Sequence, residues 1–110
     1  MAQPEKIIEN QILNFLKAKR VFVFKVKTTG TFDPTKKVFR RASAMYMKGV
    51  SDILGIFNHR FMAIEVKSAK GRLSDEQKIF LQRVSENGGI AIVARSVEDV
   101  EQKLFTREIA

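Results

Sequence analysis

Residues 49–67 read GVSDILGIFNHRFMAIEVK, and this stretch decides how the chain folds. Two apolar runs, Ile53–Phe57 and Phe61–Val66, flank Asn58, His59 and Arg60, which is the pattern of a β-hairpin. A two-residue turn at Asn58 and His59 sets Phe57 against Arg60 and Asp52 against Glu65. Directly opposed residues on one sheet face lie roughly 4.5–5.5 Å apart at Cβ, and like charges there repel. Two opposed carboxylates therefore suggest a bound cation. Lys67 lies two residues beyond Glu65 and projects from the same face.

Working outward, Pro4 to about Lys19 reads as a helix, with Ile8, Ile12, Phe15 and Leu16 as its apolar stripe. Val21–Val26 is rich in β-branched and aromatic residues and predicts a strand. Residues 28–48 are irregular, with a short strand expected around Val38 and Phe39 and a second hairpin that is mobile without its partner. After a loop at Lys70, Gly71 and Arg72, Ser74 to Gln77 forms a capping-box signature opening a helix that carries Phe80, Leu81 and Val84. That helix ends at Asn87, Gly88 and Gly89. Ile90–Ala94 has the continuous apolar character of a buried strand, and Ser96 starts a last helix running to about Phe105. The order is helix, three or four strands, helix, strand, helix. It predicts one α/β domain spanning residues 1–110, with a central mixed sheet flanked by helices.

The 110 residues suffice for one core and not two. No apolar run approaches the roughly 20 residues of a membrane span, and the N-terminus lacks the apolar segment of a signal peptide. There are no cysteines, which excludes disulfides and thiolate metal sites and fits a reducing compartment. His59 is the only histidine and cannot form a zinc site alone. Any metal must rest on carboxylates and carbonyls, which favours Mg²⁺ or Mn²⁺. The net charge is +8, but residues 17–48 alone carry +9, with Asp33 their single acid. One segment is thus the cationic surface, and a polyanion is the expected partner. The plainer reading is a basic face kept for solubility. Lys25, Lys27, Lys36, Lys37, Arg40, Arg41 and Lys48 are the candidate nucleic-acid contacts. Phe32, Phe39 and Tyr46 can stack on bases there or simply pack.

Asp52 and Glu65 are the candidate metal ligands, and the main-chain carbonyl of Val66 can add a third oxygen. Together with Lys67 in a basic chain, they suggest metal-assisted hydrolysis of phosphodiesters. Lys67 is suited to orient the attacking water or to stabilise the phosphate, and whether it also acts as base is open. Its ordinary alternative is an exposed ion pair with Glu65. On a helical wheel, Glu5 and Glu9 both fall within the apolar stripe of the first helix. Glu5 is explained by the first-turn preference for acids. Glu9 sits a turn deeper, where a carboxylate must be paired or metal-linked, so it becomes the third acid unless a lysine neutralises it. Gln77 is in register with Phe80, Leu81 and Val84 and faces the sheet, although the capping box alone accounts for it.

Five segments taken together resemble the VRR-NUC family, the virus-type replication-repair nucleases of the PD-(D/E)XK superfamily. They are residues 5–9 (EKIIE), 49–52 (GVSD), 64–67 (IEVK), 73–77 (LSDEQ) and the pair Gly88 and Gly89. The resemblance runs from Glu5 to about Val100. One departure is Ser51 before Asp52, where the superfamily has proline. The resemblance implies an αβββαβ core, a Mg²⁺- or Mn²⁺-dependent DNA endonuclease, and Asp52, Glu65, Lys67 and Gln77 in its site. The helix-one acid is Glu5 or Glu9, with burial favouring Glu9. Small stand-alone members resemble Holliday-junction resolvases acting as homodimers. Such a protein would work in the cytoplasm of a bacterial or phage-infected cell. A single small domain is expected to read DNA shape through phosphate contacts. The alternatives are a flap, nicking or restriction-like nuclease with the same site, and a DNA-binding module without catalysis.

Overall fold

The 49–67 segment forms the hairpin that its pattern predicts. In the computed structural model, which describes residues 4–26, 32–33, 38–39 and 47–106, strands β4 (Ile53–Phe57) and β5 (Arg60–Val66) pair antiparallel with Phe57 opposite Arg60 and Ile53 opposite Ile64. Asn58 and His59 make the turn with φ of 53° and 68°. Two successive positive φ angles give the turn whose twist matches a tight hairpin. Arg60 then anchors the hairpin tip. Its Nε donates to the carbonyl of Gly88 (2.8 Å) and its Nη2 to that of Gly89 (3.2 Å).

Around the hairpin lie α1 (Pro4–Ala18), β1 (Phe22–Lys25), β2 (Phe32–Asp33), β3 (Val38–Phe39), α2 (Asp75–Glu86), β6 (Ile90–Ala94) and α3 (Val97–Leu104). The main sheet has the order β1-β4-β5-β6, and β2 and β3 pair separately, with Phe32 opposite Phe39. β1 and β4 are antiparallel, whereas β5 and β6 are parallel. The parallel pair requires a crossover, which α2 supplies. The first strand is confined to Phe22–Lys25 within the Val21–Val26 run, although Val26 still bonds in the register of β1 and β4. The N–H of Val21 closes the end of α1 on Leu16, and that of Val26 reaches the carbonyl of Asp52.

Strand alternation divides the core into two layers. Met62, Ile64 and Val66 of β5 face Ile12, Leu13 and Leu16 of α1 and Val100 of α3. Ala63 faces the other way, against Phe80, Leu81 and Val84 of α2. Each fully buried Ile, Leu, Val or Met contributes roughly 1.5–3 kcal/mol. Glu65 shares the parity of Ala63, so the pleat points it into the α2 layer. That layer is fixed to the Asp52 loop at one tight contact. Gly49 has φ +79°, and a Cβ there would stand 2.3 Å from the carbonyl carbon and oxygen of Glu76. Only a glycine accepts both the φ and the backbone approach. We expect Gly49→Ala to lower unfolding stability by about 2 kcal/mol or more in urea titrations.

Candidate active site

Glu65 is the most unusual side chain of the core. It is 2% exposed. Its Oε2 accepts from Gln77 Nε2 at 3.1 Å. Its Oε1 is buried with no hydrogen-bond donor among the described residues. Asp52, half-buried just before β4, stands beside it and is itself held in place, because the Val66 N–H donates to Asp52 Oδ2 at 2.8 Å. Burial, then the hydrogen bond with Asp52 and its charge, push the Glu65 carboxyl up to about 8, with Lys67 opposing and Glu5 adding to the rise. The arrangement holds a proton at neutral pH and offers that place to a cation. The register that opposes Asp52 to Glu65 therefore yields a real juxtaposition, and Lys67 lies at the same end of β5.

The loop after Lys67 is secured from three directions. The Lys67 N–H continues the sheet onto the Ala94 carbonyl (3.0 Å), and Gly71 N–H donates to the Ser68 carbonyl (3.0 Å). The N–H of Ser68 donates to Glu5 Oε2 at 3.3 Å. Arg95 Nη1 donates to the carbonyl of Ser68 and, at 3.4 Å, to that of Ala69. The backbone of Gly71 passes so close that a Cβ would lie 3.1 Å from Glu5 Oε2 and 3.3 Å from Lys67 Cδ. Glu5, from the first turn of α1, is therefore beside Lys67.

Glu9 is placed differently from what its depth in the helix suggested. Its carboxylate is mostly buried, but Lys25 Nζ is 3.1 Å from its Oε2. The neutralising partner is thus a lysine of β1, and Glu5 is the acid that reaches the Lys67 loop. The helical wheel describes which face of α1 each acid occupies, and the contacts with β1 and with the loop after Lys67 come from other elements. Arg95 is not flagged by the sequence, since it belongs to no periodic pattern, and no sequence signal shows that Gly49 seats against α2. Gln77 satisfies both of its sequence readings at once, closing the capping box with Ser74 and touching Glu65. His59 is a turn residue. Among the candidate nucleic-acid contacts, Lys48 is exposed in the turn next to Gly49, and Lys25 is paired with Glu9. Lys27, Lys36, Lys37, Arg40, Arg41 and Tyr46 lie outside the described residues.

An unpartnered buried carboxylate oxygen beside a second carboxylate fits a hard divalent cation. Among the described residues, no three His, Cys, Asp or Glu side chains gather into a metal cage. A cation here would rely on two carboxylates with main-chain, water and substrate oxygens, as Mg²⁺ commonly does. Val66 is the main-chain candidate, at the end of β5 between the two acids.

A mixed four-stranded sheet with three helices and an Asp, Glu and Lys at one strand end defines a nuclease-type α/β domain of PD-(D/E)XK character. Residues 33–98, more than half of the chain, match the family model of the VRR-NUC domain, and the chain belongs to that family. No curated protein matches the chain. Membership makes the domain a nuclease with DNA as its substrate, and nucleases of this kind generally use divalent metals. The match begins after α1 and β1, so the acids of α1 are judged on geometry alone. Among the described residues, no helix is long and apolar enough to cross a membrane.

The Glu65 environment has a consequence for stability. Its folded value of about 8 exceeds the ordinary 4.5. Between those limits the folded chain holds a proton that the unfolded chain releases, so stability falls as pH rises. In EDTA, we expect thermal stability to drop from about pH 5 to pH 8, by an amount on the order of a few kcal/mol. In Glu65→Gln this slope should largely vanish, as followed by calorimetry across pH.

Proposed function

We propose that this domain is a Mg²⁺- or Mn²⁺-dependent endonuclease that cuts branched DNA as a homodimer, in the manner of a Holliday-junction resolvase. The observation that carries the metal-dependent part is the orphaned Oε1 of Glu65 beside Asp52, with Lys67 at the same strand end. When bound, the cation supplies Lewis-acid activation of water and charge neutralisation at the phosphate. Asp52, Glu65 and the Val66 carbonyl would hold it. Lys67 orients the attacking water and bears on the phosphate oxygens. Gln77 fixes Glu65. Glu5, rather than Glu9, is the helix-one acid, a reading supported by its bond to the Ser68 N–H. Through that bond Glu5 holds the loop that carries Lys67.

The basic segment grips the DNA backbone through Lys25, Lys27, Lys36, Lys37, Arg40, Arg41 and Lys48. Lys48 is well situated for this, since it adjoins Gly49 and the first turn of α2. The dimer takes support from a bare region of the sheet. Phe22, Ile56 and Phe61 are cross-strand neighbours forming an apolar row over three strands, each 45–64% exposed. Phe24, with its ring 5.7 Å from that of Phe22, extends it. α2 packs over β5 and β6, beside this row. An exposed apolar patch of this kind marks an interaction surface, and a two-fold pairing buries it on both copies. The absence of cysteine suits a reducing cytoplasm, bacterial or phage-infected.

A labelled four-way junction is expected to receive paired symmetric nicks in Mg²⁺ or Mn²⁺, abolished by EDTA and by Asp52→Asn. Glu5→Gln should slow cutting about 10–100-fold, as loss of an outer-shell partner does, while Glu9→Gln should cut at close to the wild-type rate. Preferential cutting of flaps or plain duplex would transfer the assignment to a flap, nicking or restriction-like nuclease. Junction binding with no cutting in either metal would leave a non-catalytic DNA-binding module. In sedimentation equilibrium, the wild type should be a dimer and Phe22→Glu with Ile56→Glu a monomer. A monomeric wild type rules the dimer out.

A further inference from the structure

The first turn of α2 is more tightly specified than helix capping requires. Gln77 is held at every polar atom. Its N–H donates to Ser74 Oγ (3.1 Å), and its Oε1 accepts from the Ser74 N–H (2.8 Å). Its Nε2 donates to Glu65 Oε2 (3.1 Å). A primary amide has one acceptor oxygen and one NH₂. With the oxygen committed to Ser74, only the NH₂ can face Glu65. The reversed amide would set NH₂ against an N–H and oxygen against a carboxylate. A capping box accepts Glu as readily as Gln at this position, but only Gln can donate to Glu65.

The same turn also receives the loop that carries Asp52. A Cβ on Gly49 would lie 2.3 Å from the Glu76 carbonyl and 2.7 Å from Gln77 N, and Asp52 follows three residues later. One helical turn thereby registers the carriers of both acids.

We propose that Ser74 is a positioning residue for the cation site, with the capping box locking the Gln77 amide onto Oε2 of Glu65 so that Oε1 is left without a donor among the described residues. The inference rests on the reading of Asp52 and Glu65 as that site. Ser74 itself touches no reacting group and acts through Gln77. Its place at the helix N-cap, with φ −73° and ψ 166°, is what aims its N–H at the Gln77 oxygen.

Two measurements on the full chain test this. The first is the Gln77 side-chain NH₂ in ¹⁵N-edited spectra in EDTA. A restricted amide with a protected proton is expected, and a freely averaging one overturns the lock. The second is Mn²⁺ affinity by calorimetry, well below the melting temperature. Ser74→Ala should weaken Mn²⁺ binding about tenfold, the lower end for loss of an outer-shell support. Ser74→Asp, an equally good N-cap with the same N–H, should restore it. A Ser74→Ala protein that melts earlier yet binds Mn²⁺ within about twofold of wild type shows a structural cap only, and overturns the proposal. Should Ser74→Ala not fold, the wild-type amide spectrum still decides. Wild-type protein without Asp52-dependent Mn²⁺ binding overturns the underlying cation reading, whereas a mobile amide overturns the lock alone.

Discussion

The burial of the Glu65 carboxylate is the constraint to which the rest of this end of the molecule answers. A carboxylate with 2% exposure has lost its hydration, and an uncompensated charge in that position is strongly unfavourable. Among the described residues, only one of its oxygens has a hydrogen-bond partner, Gln77. The other is left beside a second carboxylate, and the result is a group pushed up to about 8. Such a site opposes the stability of the bare protein. This is the kind of local cost that folds carry at functional positions.

Holding two acids together demands a rigid frame. The Val66 N–H fastens Asp52 across the ladder, the parallel β5–β6 pair fixes the end of β5, and α2 closes the layer above it. Elements far apart in sequence then converge on the short loop after Lys67. Glu5 arrives from the first turn of α1, and Arg95 from the connection between β6 and α3. Asp99 supports Arg95 in turn, accepting from its N–H at 2.9 Å. The reach of Lys67 is thus set by contacts spanning nearly the whole described chain.

This frame explains how a domain with no cysteine and a single histidine supports nuclease chemistry. The acids and the lysine stand at one sheet end. The apolar row of Phe22, Ile56 and Phe61 lies toward the hairpin tip, at the other end of β4 and β5. The acid pair and this exposed apolar row therefore occupy opposite ends of one sheet.

Much of this was legible in the sequence because it depends on local rules. Alternation and a two-residue turn determined the register of β4 and β5, and with it the opposition of Asp52 and Glu65. A pleat has a period of two, so a one-residue slip would have exposed the entire core face. The helix starting at Ser74 was equally readable, since a capping box satisfies backbone donors within four residues. The tertiary structure alone decided what depended on distance between elements. The bond of Glu5 to the Ser68 N–H, the pairing of Glu9 with Lys25, the clamp by Arg95 and the seat of Gly49 on α2 all arise where separate segments meet. Sequence periodicity reports which face of an element is buried. It does not report which side chains of separate elements meet, as Glu5 meets the loop after Lys67 and Glu9 meets Lys25.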